Sequence, residues 1–202
     1  SEGIILSIIK KDKEVEDIDE GEEAEIVTNQ TPFYGESGGQ IGDIGYISKN
    51  DSTFQVIDTQ KKLGDIFVHK GKQIKGKIKV KDAVNLSIDS NRRANIRAYH
   101  SATHLLHEAL RRTLGKHVTQ KGSYVGPDKL RFDFSHMKAI EEKEINKIEN
   151  FVNDMVKSNS EVKTRLMTPK EAVANGALAL FGEKYGEEVR VLSMGGEKNK
   201  YF

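Results

Sequence analysis

Not one of the 202 residues is a cysteine. Disulfides are therefore excluded, and no thiolate within the chain can ligate a metal. Prolines number only three, in a chain that is 36% hydrophobic and 31% charged. That is a globular composition, long enough for one large domain or two small ones. Neither sign of charge dominates: 32 Lys and Arg face 31 Asp and Glu, for a net charge of +1. So balanced a chain has no global pull on nucleic acid, and any RNA contact must come from a local patch. Long apolar runs are also missing. No segment approaches the length needed to cross a bilayer, and the opening "SEGIILSIIKK" lacks signal-peptide organisation. The default expectation is a cytoplasmic protein with no membrane partner. A chain that opens at Ser1 and stops at "NKYF" is expected to be a piece of a longer one, and oligomeric state is not legible.

What is present divides in two. Over residues 1–88, Ile4, Leu6 and Ile8, then Ala24 and Ile26, then Phe54, Val56, Phe67 and Val68 sit in short segments separated by Gly, Asn and Asp. Short strands with closely spaced turn signals predict a small antiparallel barrel or sandwich. The run "KDKEVEDIDEGEE" reads as a solvated turn. From Asn91 the period changes. Ala98, Ala102, Leu105, Leu106, Ala109 and Leu110 share a helical face, predicting an amphipathic helix over 91–114 that Gly115 ends. Leu130, Phe132 and Phe134 alternate with polar residues as a half-buried strand. Ile140, Ile145, Ile148, Val152, Met155 and Val156 mark a second helix, and "EVKTRLMT" and "EVRVLSM" read as strands. Between them Thr168, Pro169 and Glu171 form a capping box with proline at the first helical position. The whole is α+β: a small antiparallel β-barrel (1–88), then a core (89–202) carrying a long helix over an antiparallel sheet.

That helix contains "YHSATHLLHEALRR". His100, His104, His107 and Arg111 fall on one side of it, away from the apolar face, so the residue pattern predicts a polar stripe. Histidines at i and i+4 can both reach one ion; plain surface histidines fit the same spacing. The glutamate that follows the first histidine in metalloproteases is absent, which disfavours hydrolysis by that route. Two histidines do not complete a zinc site, and His117, His136 and Asp133 are further donors that nothing in the spacing singles out. Arg92, Arg93, Arg97, Arg111 and Arg112, with Lys116 and Lys121, form a candidate basic rim for phosphates.

Three segments in order, "TPFYGESGGQIGDIG" (31–45), "HSATHLLHEALRRTLGKHVTQKGSYVGPDKLRFDFSH" (100–136) and "NGALALFGEKYGEEVRVLSMG" (175–195), resemble the editing domain of alanyl-tRNA synthetases. Free-standing trans-editing proteins share the first two segments, and the editing module of threonyl-tRNA synthetase shares chiefly the HxxxH helix. The resemblance implies hydrolysis of the ester in tRNA(Ala) mischarged with serine or glycine, so the partner would be the tRNA(Ala) acceptor end, together with the remaining domains of a parent synthetase. It implies a zinc held by His100 and His104 plus a Cys and a His of a CxxxH motif beyond "VRVLSMG". This chain reaches Phe202 without that motif, so half of the metal site and weak or absent zinc binding are expected, and the missing cysteine is expected to reflect either truncation or an unseen end. ATP and magnesium would belong to the absent aminoacylation domain.

Serine differs from alanine by one hydroxyl while glycine is smaller, so size alone cannot admit both and reject alanine. A site built to hydrogen-bond a hydroxyl disfavours a ligand without one. Thr31 and Gln120 are the candidates for that role; the resemblance ties Gln120 to editing and Thr31 more loosely. Gly38, Gly39 and Gln40 read either as a plain β-turn or as a place where backbone N–H groups approach a substrate. Competing readings are a non-catalytic tRNA-binding module, a free-standing trans-editing deacylase, and a generic zinc hydrolase that needs no tRNA.

Overall fold

The computed structural model describes residues 1–175 and 187–194. The chain forms two compact units: residues 1–99 with 124–130, and residues 100–123 with 131–202. Of the third motif segment, residues 176–186 and 195 lie outside the described ones.

In the first unit the strands are β1 (Glu2–Lys10), β2 (Lys13–Val15), β3 (Asp17–Ile18), β4 (Glu23–Thr28), β5 (Gly45–Lys49), β6 (Ser52–Lys62), β7 (Ile66–Lys75), β8 (Ile78–Lys79) and β9 (Ala83–Ile88). Six of them close a barrel in the order β1-β4-β7-β6-β5-β9, with β9 pairing back onto β1 and β2 appended to it. All six pairings are antiparallel, and closure removes the open edge that a flat sheet would present. Ile5, Ile8, Ile26, Ile47, Phe54, Val56 and Leu86 fill the interior. Ile4 and Leu6 do not: they are 44% and 53% exposed, while Ile5 is fully buried. A register shift against β4 between Ile5 and Ser7 explains it. The extra residue of a bulge breaks the two-residue period, so Ile5 and Ile8, three apart, both point inward.

The acidic run is more ordered than a solvated turn. It contributes β2 and β3, buries Ile18 completely, and pairs Asp17 with Lys79 across β3 and β8.

The long helix α1 (Ser90–Leu114) begins where Asp89 Oδ1 accepts the Arg92 N–H at 2.9 Å. It ends at Gly115, whose φ of +120° suits a residue without Cβ. Beyond it lie β10 (Gln120–Val125), β11 (Leu130–Phe134), α2 (Glu142–Lys157), β12 (Lys163–Met167), α3 (Pro169–Ala174) and β13 (Val189–Ser193). In the second unit Ala109 and Leu110 of α1 pack with Val118, Phe132, Phe134 and Ile148, and Leu105 packs with Phe151, Val152 and Met194. Ala98, assigned by period to the apolar face, is exposed. The β12–β13 pairing is antiparallel. Thr168 caps α3 with the reciprocal Glu171 bond that the sequence predicts.

Candidate functional site

In the barrel unit, the 31–43 segment is pinned at both ends. At its start, Thr31 Oγ1 lies 2.8 Å from His69 Nε2 and accepts the Phe33 N–H at 3.1 Å. His69 is fully buried, with its Nδ1 2.9 Å from the Ile26 carbonyl and the Phe33 ring set edge-on to it. Burial pushes its imidazole below the usual 6.5, against the Ile26 bond, which acts the other way.

At the far end, Asp43 is 1% exposed. It accepts the Tyr34 N–H at 2.7 Å and Arg93 Nε at 2.8 Å, and Arg93 Nη2 also bonds its carboxylate. Arg93 Nη2 further donates to the Pro32 carbonyl at 3.0 Å, and Arg92 donates to the Gly42 carbonyl at 2.8 Å. Two arginines that the sequence offers for a phosphate rim thus also hold this loop. Arg111 likewise donates to the carbonyls of Lys116 and Val118, and Arg112 pairs with Glu108 over the Phe151 ring. A helix face of arginines offers no pattern that separates internal from external partners, and the loop carbonyls they meet are invisible to spacing.

Gly38 and Gly39 form the turn expected of them. Ser37 and Gln40 exchange both backbone bonds, at 3.0 and 3.1 Å, and the two glycines have φ of +59° and +86°. Positive φ at both central positions is the type I′ signature. The Tyr34 hydroxyl donates to the Ser37 carbonyl at 3.1 Å, bracing the turn. The tip at Gly38 is exposed, whereas Gln40 is buried and bridges to Val125.

In the second unit, the rings of His100 and His104 stack at 5.1 Å, 18° apart. His104 is an exposed residue. Even so, desolvation by the protein around it, with repulsion from His100 and His107 when these take up protons, pushes its imidazole down to about 4. His100 is lowered by burial. Both rings are therefore neutral at physiological pH, the form a metal needs. The donor chemistry suits zinc as half of a four-ligand shell. Among the described residues, no three of His, Cys, Asp and Glu gather closely enough to hold an ion.

His107 departs from the predicted polar stripe. It is 8% exposed, tilted against the Phe132 ring at 5.1 Å, and bonded to the Val118 backbone. Its Nε2 is buried without a hydrogen-bond partner. The helix period cannot report that β11 covers this side. His117 and His136 bond each other at 2.9 Å, and Asp133 pairs with Arg131, so these donors are engaged apart from the HxxxH pair. Gln120 sits on β10, where its Nε2 donates to Ser123 Oγ at 3.2 Å.

Residues 1–92 match the family model described as tRNA synthetases class II (A). Over nearly its whole length the chain is homologous to alanine–tRNA ligases. It is 56% identical to the Alanine--tRNA ligase of Parvibaculum lavamentivorans over 96% of the chain and 22% of that relative's length. It is also 56% identical to the Alanine--tRNA ligase of Chelativorans sp. over 98% of the chain and 23% of the relative. The chain thus spans roughly a fifth of the length of these curated relatives.

Proposed function

We propose that this chain is the editing portion of a cytoplasmic, ATP-dependent alanine–tRNA ligase, and that it hydrolyses Ser-tRNA(Ala) and Gly-tRNA(Ala). The reading is carried by the stacked pair of neutral imidazoles, His100 and His104, on a helix of a chain homologous to alanine–tRNA ligases. Water attacks the ester carbonyl, the carbon–oxygen bond to the terminal ribose breaks, and the proton passes to the released ribose oxygen. The products are a free amino acid and uncharged tRNA. His100 and His104 would hold zinc, with a Cys and a His of the family's CxxxH motif completing the shell. A zinc so held would polarise the ester or activate the water. Thr31 and Gln120 would hydrogen-bond the aminoacyl group, and the turn at Gly38, Gly39 and Gln40 would offer backbone donors to the developing oxyanion.

The test is deacylation of Ser-tRNA(Ala) by the full-length protein. Replacing both histidines with alanine should lower kcat/KM by about 100-fold or more while tRNA binding persists. If the unsubstituted protein leaves the ester intact, the hydrolase reading fails and a non-catalytic tRNA-binding module takes its place.

A further inference from the structure

The buried contact between His69 and Thr31 constrains what Thr31 can offer to a ligand. The Ile26 carbonyl only accepts, so His69 Nδ1 carries the ring proton and donates to it. Desolvation keeps the ring neutral. Its Nε2 is then an acceptor, and the Thr31 hydroxyl must donate its one proton there. One Thr31 lone pair already accepts the Phe33 N–H. A single lone pair is left, on a half-buried side chain.

We propose that His69 is a positioning residue that presents Thr31 to a bound ligand solely as a hydrogen-bond acceptor, selecting an aminoacyl group whose side chain brings a hydroxyl donor. This rests on the editing reading above and deepens it. A serine side chain supplies the donor. Alanine offers a methyl group and leaves the oriented lone pair unpaired, a penalty that a pocket shaped only by size cannot impose. Glycine has no side chain to be read, so its hydrolysis does not depend on this contact. Thr31 would touch the substrate, and His69 acts only through it.

The experiment compares Ser-tRNA(Ala) and Gly-tRNA(Ala) hydrolysis by the full-length protein and by Thr31→Val, Thr31→Ser, His69→Asn and the Thr31→Val/His69→Asn pair. Asparagine keeps a donor for Ile26 but removes the acceptor that faces Thr31. His69→Asn should lose about tenfold in kcat/KM for the serine ester and stay within about twofold for glycine. It should have no further effect in the Thr31→Val background, and Thr31→Ser should retain the serine activity. Parallel losses on both esters, or additive losses in the double variant, would overturn the positioning role as mere structural damage. An unsubstituted protein that cleaves neither ester sinks the editing reading, and the positioning role with it. A nitrogen-15 histidine spectrum of the unsubstituted protein reads the orientation with no substitution at all. The Nδ1–H tautomer at neutral pH is expected, and an Nε2–H tautomer overturns the proposal.

Discussion

At the scale of single residues, Asp43 decides how the 31–43 loop is held. Its carboxylate is buried, and besides the Tyr34 N–H its donors come from Arg93, which bonds both oxygens. A buried charge deprived of its partner is costly, because the ordinary alternative, water, cannot reach it. Arg93→Ala should therefore lower the unfolding free energy by about 3 kcal/mol. Arg93→Lys should recover only part of that, since an ammonium cannot bond two carboxylate oxygens in one plane. Urea unfolding checks this, and a loss below about 1 kcal/mol, the range of exposed ion pairs, would mean that the pair is solvent-relaxed. Neither residue was legible as a structural anchor. They stand 50 positions apart, and an arginine on an amphipathic helix resembles any solvated cation.

At the scale of elements, the barrel is held by strands whose inward residues alternate except where a bulge intervenes. The bulge in β1 makes a sharp forecast. Ile5→Ala empties a filled position and should cost about 3 kcal/mol, while Leu6→Ala, on the exposed face, should change stability by less than about 0.5 kcal/mol. Equal effects in urea unfolding would place the bulge elsewhere. Period alone points the other way, grouping Ile4, Leu6 and Ile8, because one inserted residue is chemically silent in the sequence. The α3 capping box, the Gly38–Gly39 turn and the Gly115 helix end were legible, since each is set by the local conformational preferences of the residues that form it. The HxxxH pair was legible as a spacing. The burial of His107 was not, because it depends on Phe132 arriving from another strand. The Thr31–His69 contact was hidden for the same reason, spanning 38 positions between a loop and a strand.

At the scale of the whole molecule, charge is balanced in number and also locally paired. Lys10 meets Glu22, Lys49 meets Asp82, Lys70 meets Glu25, and Lys77 meets both Asp17 and Asp19. The titration behaviour is therefore set less by net charge than by groups whose folded and unfolded affinities for protons differ. His69, His100, His104 and His107 all lie below their unfolded value of 6.5 in the folded chain. Each stays neutral in the fold while the unfolded chain takes up a proton below that value, so the unfolded state binds more protons and stability rises with pH. In the metal-free protein this contribution is complete above pH 6.5 and is lost as pH falls towards each folded value, which for His104 is about 4. Glu22, Asp82 and Glu171 are also lowered, the first two beside lysines and the third by its bonds at the α3 cap, so their contribution disappears further into acid. The expected curve is flat above pH 6.5, falls between there and about 4 through the histidines, and falls again below that through the carboxylates. His69, being fully buried, sets the part of the middle limb that a substitution can isolate. Its slope, at most about 1.4 kcal/mol per pH unit, is steepest where the unfolded histidine is protonated and the folded one is still neutral. Urea midpoints measured across this range should show that limb become shallower in His69→Asn, with the carboxylate limb unchanged. A limb of the same steepness in both proteins would mean that His69 accepts its proton in the folded state as readily as in the unfolded one, and so is not held neutral by the barrel.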